Sequence, residues 1–89
     1  MKEIKKDDLI DLFFNGTTLR IFLNIEGEEY TAKIRNKVGC MYSYVSTRLK
    51  EFEKLGLVEH KKEGRIKRYK LTEKGRILKQ KLEDLLNIE

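Results

Sequence analysis

Eighty-nine residues with one cysteine, no proline, no tryptophan and a formal net charge of +5 describe one small domain, residues 1–89. At this length about 60–65% of the unfolded chain's surface can be buried, a modest core that a second copy would supplement. Hydrophobic and charged shares of 39% each exclude a disordered tract, and no apolar run has transmembrane length.

The lone cysteine cannot build a disulfide framework, so a reducing, cytoplasmic setting is expected. Met1-Lys2-Glu3-Ile4-Lys5-Lys6 lacks the apolar stretch of a signal peptide, and no membrane partner is expected. Charge is unevenly spread. Residues 1–30 carry four Lys or Arg against seven Asp or Glu, whereas Lys61 to Arg76 holds eight against Glu63 and Glu73. Such asymmetry suits a polyanionic partner on one surface. A lysine-rich coat of a heat-adapted protein would have the same composition.

In chain order, Asp7 or Asp8 can cap a short helix carrying Leu9, Ile10, Leu12, Phe13 and Phe14, ended by Asn15-Gly16. Thr17 or Thr18 opens a second helix through Ile25, with Leu19, Phe22 and Leu23 as its apolar face. Glu28 to Thr31 reads as short and extended, and Thr31 as the N-cap of a third helix through Val38. From about Met41 to Leu55, Val45, Leu49 and Phe52 recur at i, i+4, i+7, an apolar helix face. Ser43, Thr47, Lys50 and Lys54 occupy the opposite face without a carboxylate. Leu57 to Lys62 and Ile66 to Leu71 alternate around Glu63-Gly64-Arg65, a hairpin with a glycine turn. Thr72-Glu73 opens the last helix, to about Asn87.

Two segments resemble known proteins. Gly39 to Val58, ending Leu-Lys-Glu-Phe-Glu-Lys-Leu-Gly-Leu-Val, resembles the recognition helix of MarR- and ArsR-type winged-helix regulators. Gly64-Arg65 followed by Lys70-Leu71-Thr72-Glu73-Lys74-Gly75 is similar to their wing and their entry to the final helix. The resemblance implies a mainly α fold with a small β-hairpin (α+β): a helix-turn-helix at about 31–55, a wing at about 57–71 and flanking terminal helices. The chain departs from the pattern twice. Arg35 stands where a small residue is usual, and Cys40 or Met41 replaces the usual Ser or Thr at the N-cap. Arg35 must leave the helix contact or widen it.

In helix-turn-helix docking the N-terminal part of the recognition helix reaches base edges. That selects Tyr42, Ser43, Tyr44, Ser46, Thr47 and Lys50, with Thr31 from the preceding helix and Lys62, Arg65, Lys67 and Arg68 from the wing. Arg48 leans to the core side, and no Asn, Gln or Asp is present, so shape-dependent readout should carry much of the specificity. Tyr42 could instead pack on the core flank, and the wing could be a solvated charged hairpin.

The last helix repeats Leu71, Gly75, Leu78, Leu82 and Leu85, with Ile77, Leu86 and Ile88 alongside, in the manner of a coiled-coil seam. A dimer interface of Leu78, Leu82, Leu85 and Leu86, aided by Leu12, Phe13 and Phe14, is expected; the bland alternative is closure of the monomer core. Catalysis has little support. His60 stands alone, Cys40 reads as a small apolar turn residue, and no metal-ligand spacing or phosphate loop occurs. No enzyme activity and no cofactor are expected, and the sequence specifies no small-molecule effector. Two function classes fit: a homodimeric repressor binding a pseudo-palindromic site in double-stranded DNA, and a winged-helix protein–protein interaction module of a larger assembly.

Overall fold

The computed structural model describes residues 6–87, leaving aside the side chains of Asp8, Leu9, Asp11 and Leu12. Leu12 and Ile88, both expected near a dimer seam, therefore lie outside the described side chains. The elements are α1 (Lys6–Phe13), α2 (Gly16–Leu23), β1 (Glu29–Tyr30), α3 (Thr31–Val38), α4 (Tyr42–Lys54), β2 (Val58–Glu63), β3 (Ile66–Leu71) and α5 (Glu73–Leu86). This is the winged-helix order expected from the sequence, with boundaries shifted by one or two residues.

The core is built where α1, α2, α3 and α4 converge. Phe13, Phe22 and Phe52 meet with ring centroids 5.0, 5.2 and 5.8 Å apart, surrounded by buried Ile21, Ile25, Ile34, Val45 and Leu49. Phe13, expected at a dimer seam, is thus consumed by the monomer core: its ring stacks on Phe52 and meets the edge of Phe22. Its neighbour Phe14 stays outside, 86% exposed.

The second helix is capped by Asn15, whose side chain accepts from the Thr17 and Thr18 amides at 3.0 and 3.2 Å, rather than by a threonine. An Asn side chain reaches the orphan amides of a first turn as well as a hydroxyl does. Thr18 is left free for a tertiary contact.

The sheet runs β1-β3-β2, all antiparallel. The β2–β3 ladder extends from Val58↔Leu71 to Glu63↔Ile66, leaving Gly64-Arg65 as a two-residue loop. Gly64 has φ +59°, the sign that the first loop position of a tight hairpin demands. The extended segment before α3 adds the third strand, pairing Glu29 with Tyr69 and Tyr30 with Arg68.

The junction of wing and last helix explains the Leu-Thr-x-x-Gly pattern. Thr72 caps α5 by accepting from the Gly75 amide at 3.1 Å, and its hydroxyl donates to the Gly56 carbonyl at 2.6 Å. A Cβ on Gly75 would stand 2.0 Å from the Leu57 carbonyl oxygen, so only glycine lets the helix lie against that backbone. Beyond Gly75 the apolar stripe splits. Leu78 and Leu82, expected at a dimer seam, are half-buried against the core of their own chain, whereas Ile77, Leu85 and Leu86 are 54%, 62% and 56% exposed.

Candidate nucleic-acid interface

The helix-turn-helix is set by a short turn. Gly39 closes α3 in the left-handed region (φ +82°), its amide donating to the Arg35 carbonyl at 2.7 Å. Arg35 leaves the helix contact and lies at the surface, where its Nε donates to the Cys40 carbonyl at 3.2 Å. The departure at position 35 therefore becomes a clip across the turn. Met41 is the N-cap of α4, and among the described residues no side chain bonds the free amides of that first turn.

The orientation of α4 follows from its buried residues Val45, Leu49 and Phe52. One flank faces α2: the Tyr44 and Thr18 hydroxyls are hydrogen-bonded at 2.9 Å, and the Arg48 guanidinium lies 5.2 Å from the Tyr44 ring centre and 3.1 Å from Glu51. Tyr44, expected to reach DNA, is accordingly a half-buried brace, because its hydroxyl satisfies the buried Thr18. Ser43 and Thr47 are exposed on the outward ridge, with Thr47 Oγ1 donating to the Ser43 carbonyl at 2.9 Å. The other flank faces the wing.

Between that flank and the wing lies an open groove of about 460 Å³. Tyr42, Ser46 and Lys50 line it from α4, and Arg65 and Lys67 from the wing. Tyr30, Thr31 and Ala32 close it at the start of α3, over the buried Tyr69. Three cations and no carboxylate line it among the described residues. Lys62, exposed and paired across the hairpin with Lys67, extends the positive surface along the wing. Burial, followed by the charge of Glu53, raises the pKa of the Tyr69 phenol, so the groove floor stays uncharged at neutral pH.

Two expected contact residues sit differently. Thr31 lines the groove but is only 8% exposed, and it is the first residue of α3 rather than its cap, since Tyr30 takes the cap position. Arg68 is half-buried: its guanidinium stacks 4.4 Å from the Tyr30 ring centre, donates to the Tyr30 hydroxyl, and lies 3.3 Å from a Glu63 oxygen. Its charge is largely spent inside the protein, tying the wing to the start of α3. Tyr30, Ala32, Ile66 and Tyr69 were not selected from the sequence as site residues. Only the register Tyr30↔Arg68 brings Tyr30 and Ala32 to the groove, and a two-residue strand leaves no periodic signal.

Two carboxylates of the acidic N-terminal third, Glu26 and Glu29, are paired with lysines. Glu29, nearly buried, holds Lys37 at 2.5 Å and Lys33 at 3.8 Å, and Lys37 also meets Glu26 at 3.6 Å. The hydrogen bond to Glu29 keeps the Lys37 ammonium charged above its ordinary range, against the opposing effect of burial. At the C-terminal end of α4, His60 Nδ1 sits 2.6 Å from Glu53, linking β2 to the last turns of the helix. Among the described residues no group of three His, Cys, Asp or Glu side chains is placed to hold a metal ion, and no helix is long and apolar enough to cross a membrane.

Residues 19–75 match the family model of the winged helix DNA-binding domain. A protein of Archaeoglobus fulgidus is 34% identical over 89 residues, spanning 93% of this chain and 94% of that one. The crystal structure of AF1382 from Archaeoglobus fulgidus superposes with a TM-score of 0.77 at 31% identity, over 90% of this chain and 98% of that one. Two more distant structures share the fold. One is the homodimeric winged helix-turn-helix DNA-binding domain of Mb0332 from Mycobacterium bovis, a possible ArsR-family transcriptional regulator, with TM-score 0.75, 24% identity, and coverage of 91% of this chain and 77% of that one. The other is the transcriptional repressor BigR from Xylella fastidiosa, with TM-score 0.75, 21% identity, and coverage of 93% and 87%. This chain belongs to the winged helix DNA-binding domain family.

Proposed function

We propose that this protein is a sequence-specific, double-stranded DNA-binding transcriptional regulator that acts as a homodimeric repressor. The observation that carries the reading is the carboxylate-free groove joining α4 to the wing, with Lys50, Arg65 and Lys67 on its walls. A helix of 13 residues is about 20 Å long and fits a major groove about 12 Å wide. With α4 so placed, Tyr42, Ser43, Ser46, Thr47 and Lys50 meet bases and backbone, and Lys62, Arg65 and Lys67 of the wing meet the flanking phosphates or the minor groove. Exposed Leu85 and Leu86 at the end of α5 supply apolar surface for a second copy, and the homodimeric state of the Mb0332 domain supports the same assembly. A two-fold dimer calls for an inverted repeat whose half-site centres lie about 10 base pairs, or a multiple of that, apart.

The test is a titration of genomic duplex fragments with the full chain at several salt concentrations, followed by footprinting. A dimer that neutralises about six to ten phosphates loses on the order of 10³–10⁵ in affinity between 50 and 200 mM salt. Retention of no duplex at 50 mM salt would overturn the proposal and leave the protein-interaction module as the working reading.

A further inference from the structure

Resting on that reading, we infer that the DNA site is rich in A·T pairs, recognised in the major groove chiefly through thymine methyl groups. The groups that α4 offers to base edges determine this. Guanine is specified by bidentate donors such as arginine, adenine by asparagine or glutamine, and cytosine by a carboxylate acceptor. The outward faces of α4 carry none of these. Glu51 is held by Arg48, and Glu53, in the last turns of the helix away from its leading end, by His60. Lys50 is the single strong donor there within reach of bases, and a lysine is a point charge without a bidentate fork.

Besides Ser43, what the first turns expose is largely apolar. Met41 at the N-cap is 73% exposed and Tyr42 56% exposed. Thr47 is exposed, but its hydroxyl is turned back onto the Ser43 carbonyl at 2.9 Å, so its methyl is the group left to face a partner. Met41, the Tyr42 ring edge and the Thr47 methyl span one and a half turns at the leading end of the helix. Unpartnered methionine and aromatic surface is costly in water and gains by covering another apolar group. In a duplex major groove the thymine methyl is the one apolar group a base pair presents.

The wing adds the same preference independently. A·T tracts narrow the minor groove and concentrate its negative potential, which draws arginine. Arg65 occupies the hairpin loop, fully outside the ion pairs that engage Arg68, and its neighbour Ile66 is 49% exposed. Both ends of the groove therefore favour the same base composition.

The experiment selects binding sites from a random duplex pool with the full chain, then replaces thymine by deoxyuridine in the selected site, which removes only the 5-methyl group. The selected half-site is expected to be A·T-rich. Each thymine under α4 should contribute about fourfold in affinity, the worth of one buried methyl. Replacement at steps facing the wing should change nothing, because the methyl points into the major groove. In the Met41→Ala variant the penalty for uridine should shrink, whereas Lys50→Ala should weaken thymine and uridine duplexes alike. A G·C-rich consensus, or equal affinity for thymine and uridine duplexes with salt-sensitive binding intact, overturns the inference while the regulator reading stands. Absence of duplex binding at 50 mM salt overturns both.

Discussion

The two ends of the molecule treat exposed surface in opposite ways. At the α4–wing end, cations and polar side chains are exposed together with Met41, Tyr42 and Ile66, while the residues behind them are tied down. Tyr44 is bonded to Thr18, Arg68 is stacked on Tyr30, and Arg35 bridges to the Cys40 carbonyl. On α5, Lys79 donates to the Ile25 carbonyl and Gln80 to Asp84, but at its far end Leu85 and Leu86 stand in the open. A braced charged face suits a rigid polyanion, whose shape must be met without rearrangement. A bare apolar end suits a partner that removes it from water. On the proposed function, the difference separates the residues that read DNA from those that meet a second chain.

The largest effect is expected at the apolar end. Leu85→Lys with Leu86→Lys would place four lysines in each dimer seam, at a cost of several kcal/mol that the interface would not survive. Sedimentation should then show a monomer with unchanged helix content, binding a single half-site weakly because the second contact is no longer intramolecular. A wild type that is already monomeric at micromolar concentration would remove the contrast between the two ends.

Gly75→Ala attacks the hinge between the two regions. The added methyl meets the Leu57 carbonyl oxygen, and overpacking against backbone costs about 2–3 kcal/mol. For a domain of this size that is a fall in Tm of roughly 10–20 °C by calorimetry. An unchanged Tm would mean that α5 is not seated on the wing as described.

Tyr44→Phe sharpens the braced end. It keeps the ring under Arg48 and removes the bond to the buried Thr18 hydroxyl, a loss of about 1–2 kcal/mol. Affinity for the cognate site should fall more than affinity for random duplex, with the salt slope unchanged, because the charges on the groove are untouched. An equal fall on both would make Tyr44 a phosphate contact rather than a brace.

The smallest effect at ordinary pH is the titration of Lys37 and Tyr69. Both pKa values are raised above their ordinary values of 10.5 and 10.0. A raised value means that the folded state holds its proton longer than the unfolded chain. The contribution to stability is therefore complete below about pH 10 and is lost as pH climbs through the folded values. Denaturant midpoints should be level with respect to these two groups up to about pH 9.5 and fall beyond it. A rise in that alkaline window would contradict the Glu29–Lys37 contact.

Much of this was legible in the residues, for physical reasons. The 3.6-residue stripe Val45, Leu49, Phe52 and the glycine turn at Gly64 fix their elements by local periodicity and backbone sterics, and both stand in the structure. Position along a helix also selected Tyr42, Ser46 and Lys50, which line the groove. It could not tell that Tyr44, two residues on, turns toward Thr18, because that depends on the packing of α2. The last helix is ambiguous for a related reason. A heptad-like leucine stripe looks the same whether it faces its own core or another chain, and here Leu78 and Leu82 do the first. Arg68 and Tyr30 lie 38 residues apart, so their stacking belongs to the sheet register and has no trace in local sequence.

The claim that the α4–wing groove is the DNA surface is tested most directly by the salt dependence of duplex affinity for wild type and for Lys50→Ala/Arg65→Ala/Lys67→Ala. These side chains are exposed, so the variant should keep its Tm. Each lost phosphate contact should flatten the slope of log K against log salt by about 0.9 per protomer, nearly threefold that for the triple change. The account predicts a shallower slope together with a loss of affinity at low salt on every duplex. A folded variant with the wild-type slope and affinity would place the DNA surface elsewhere on the molecule.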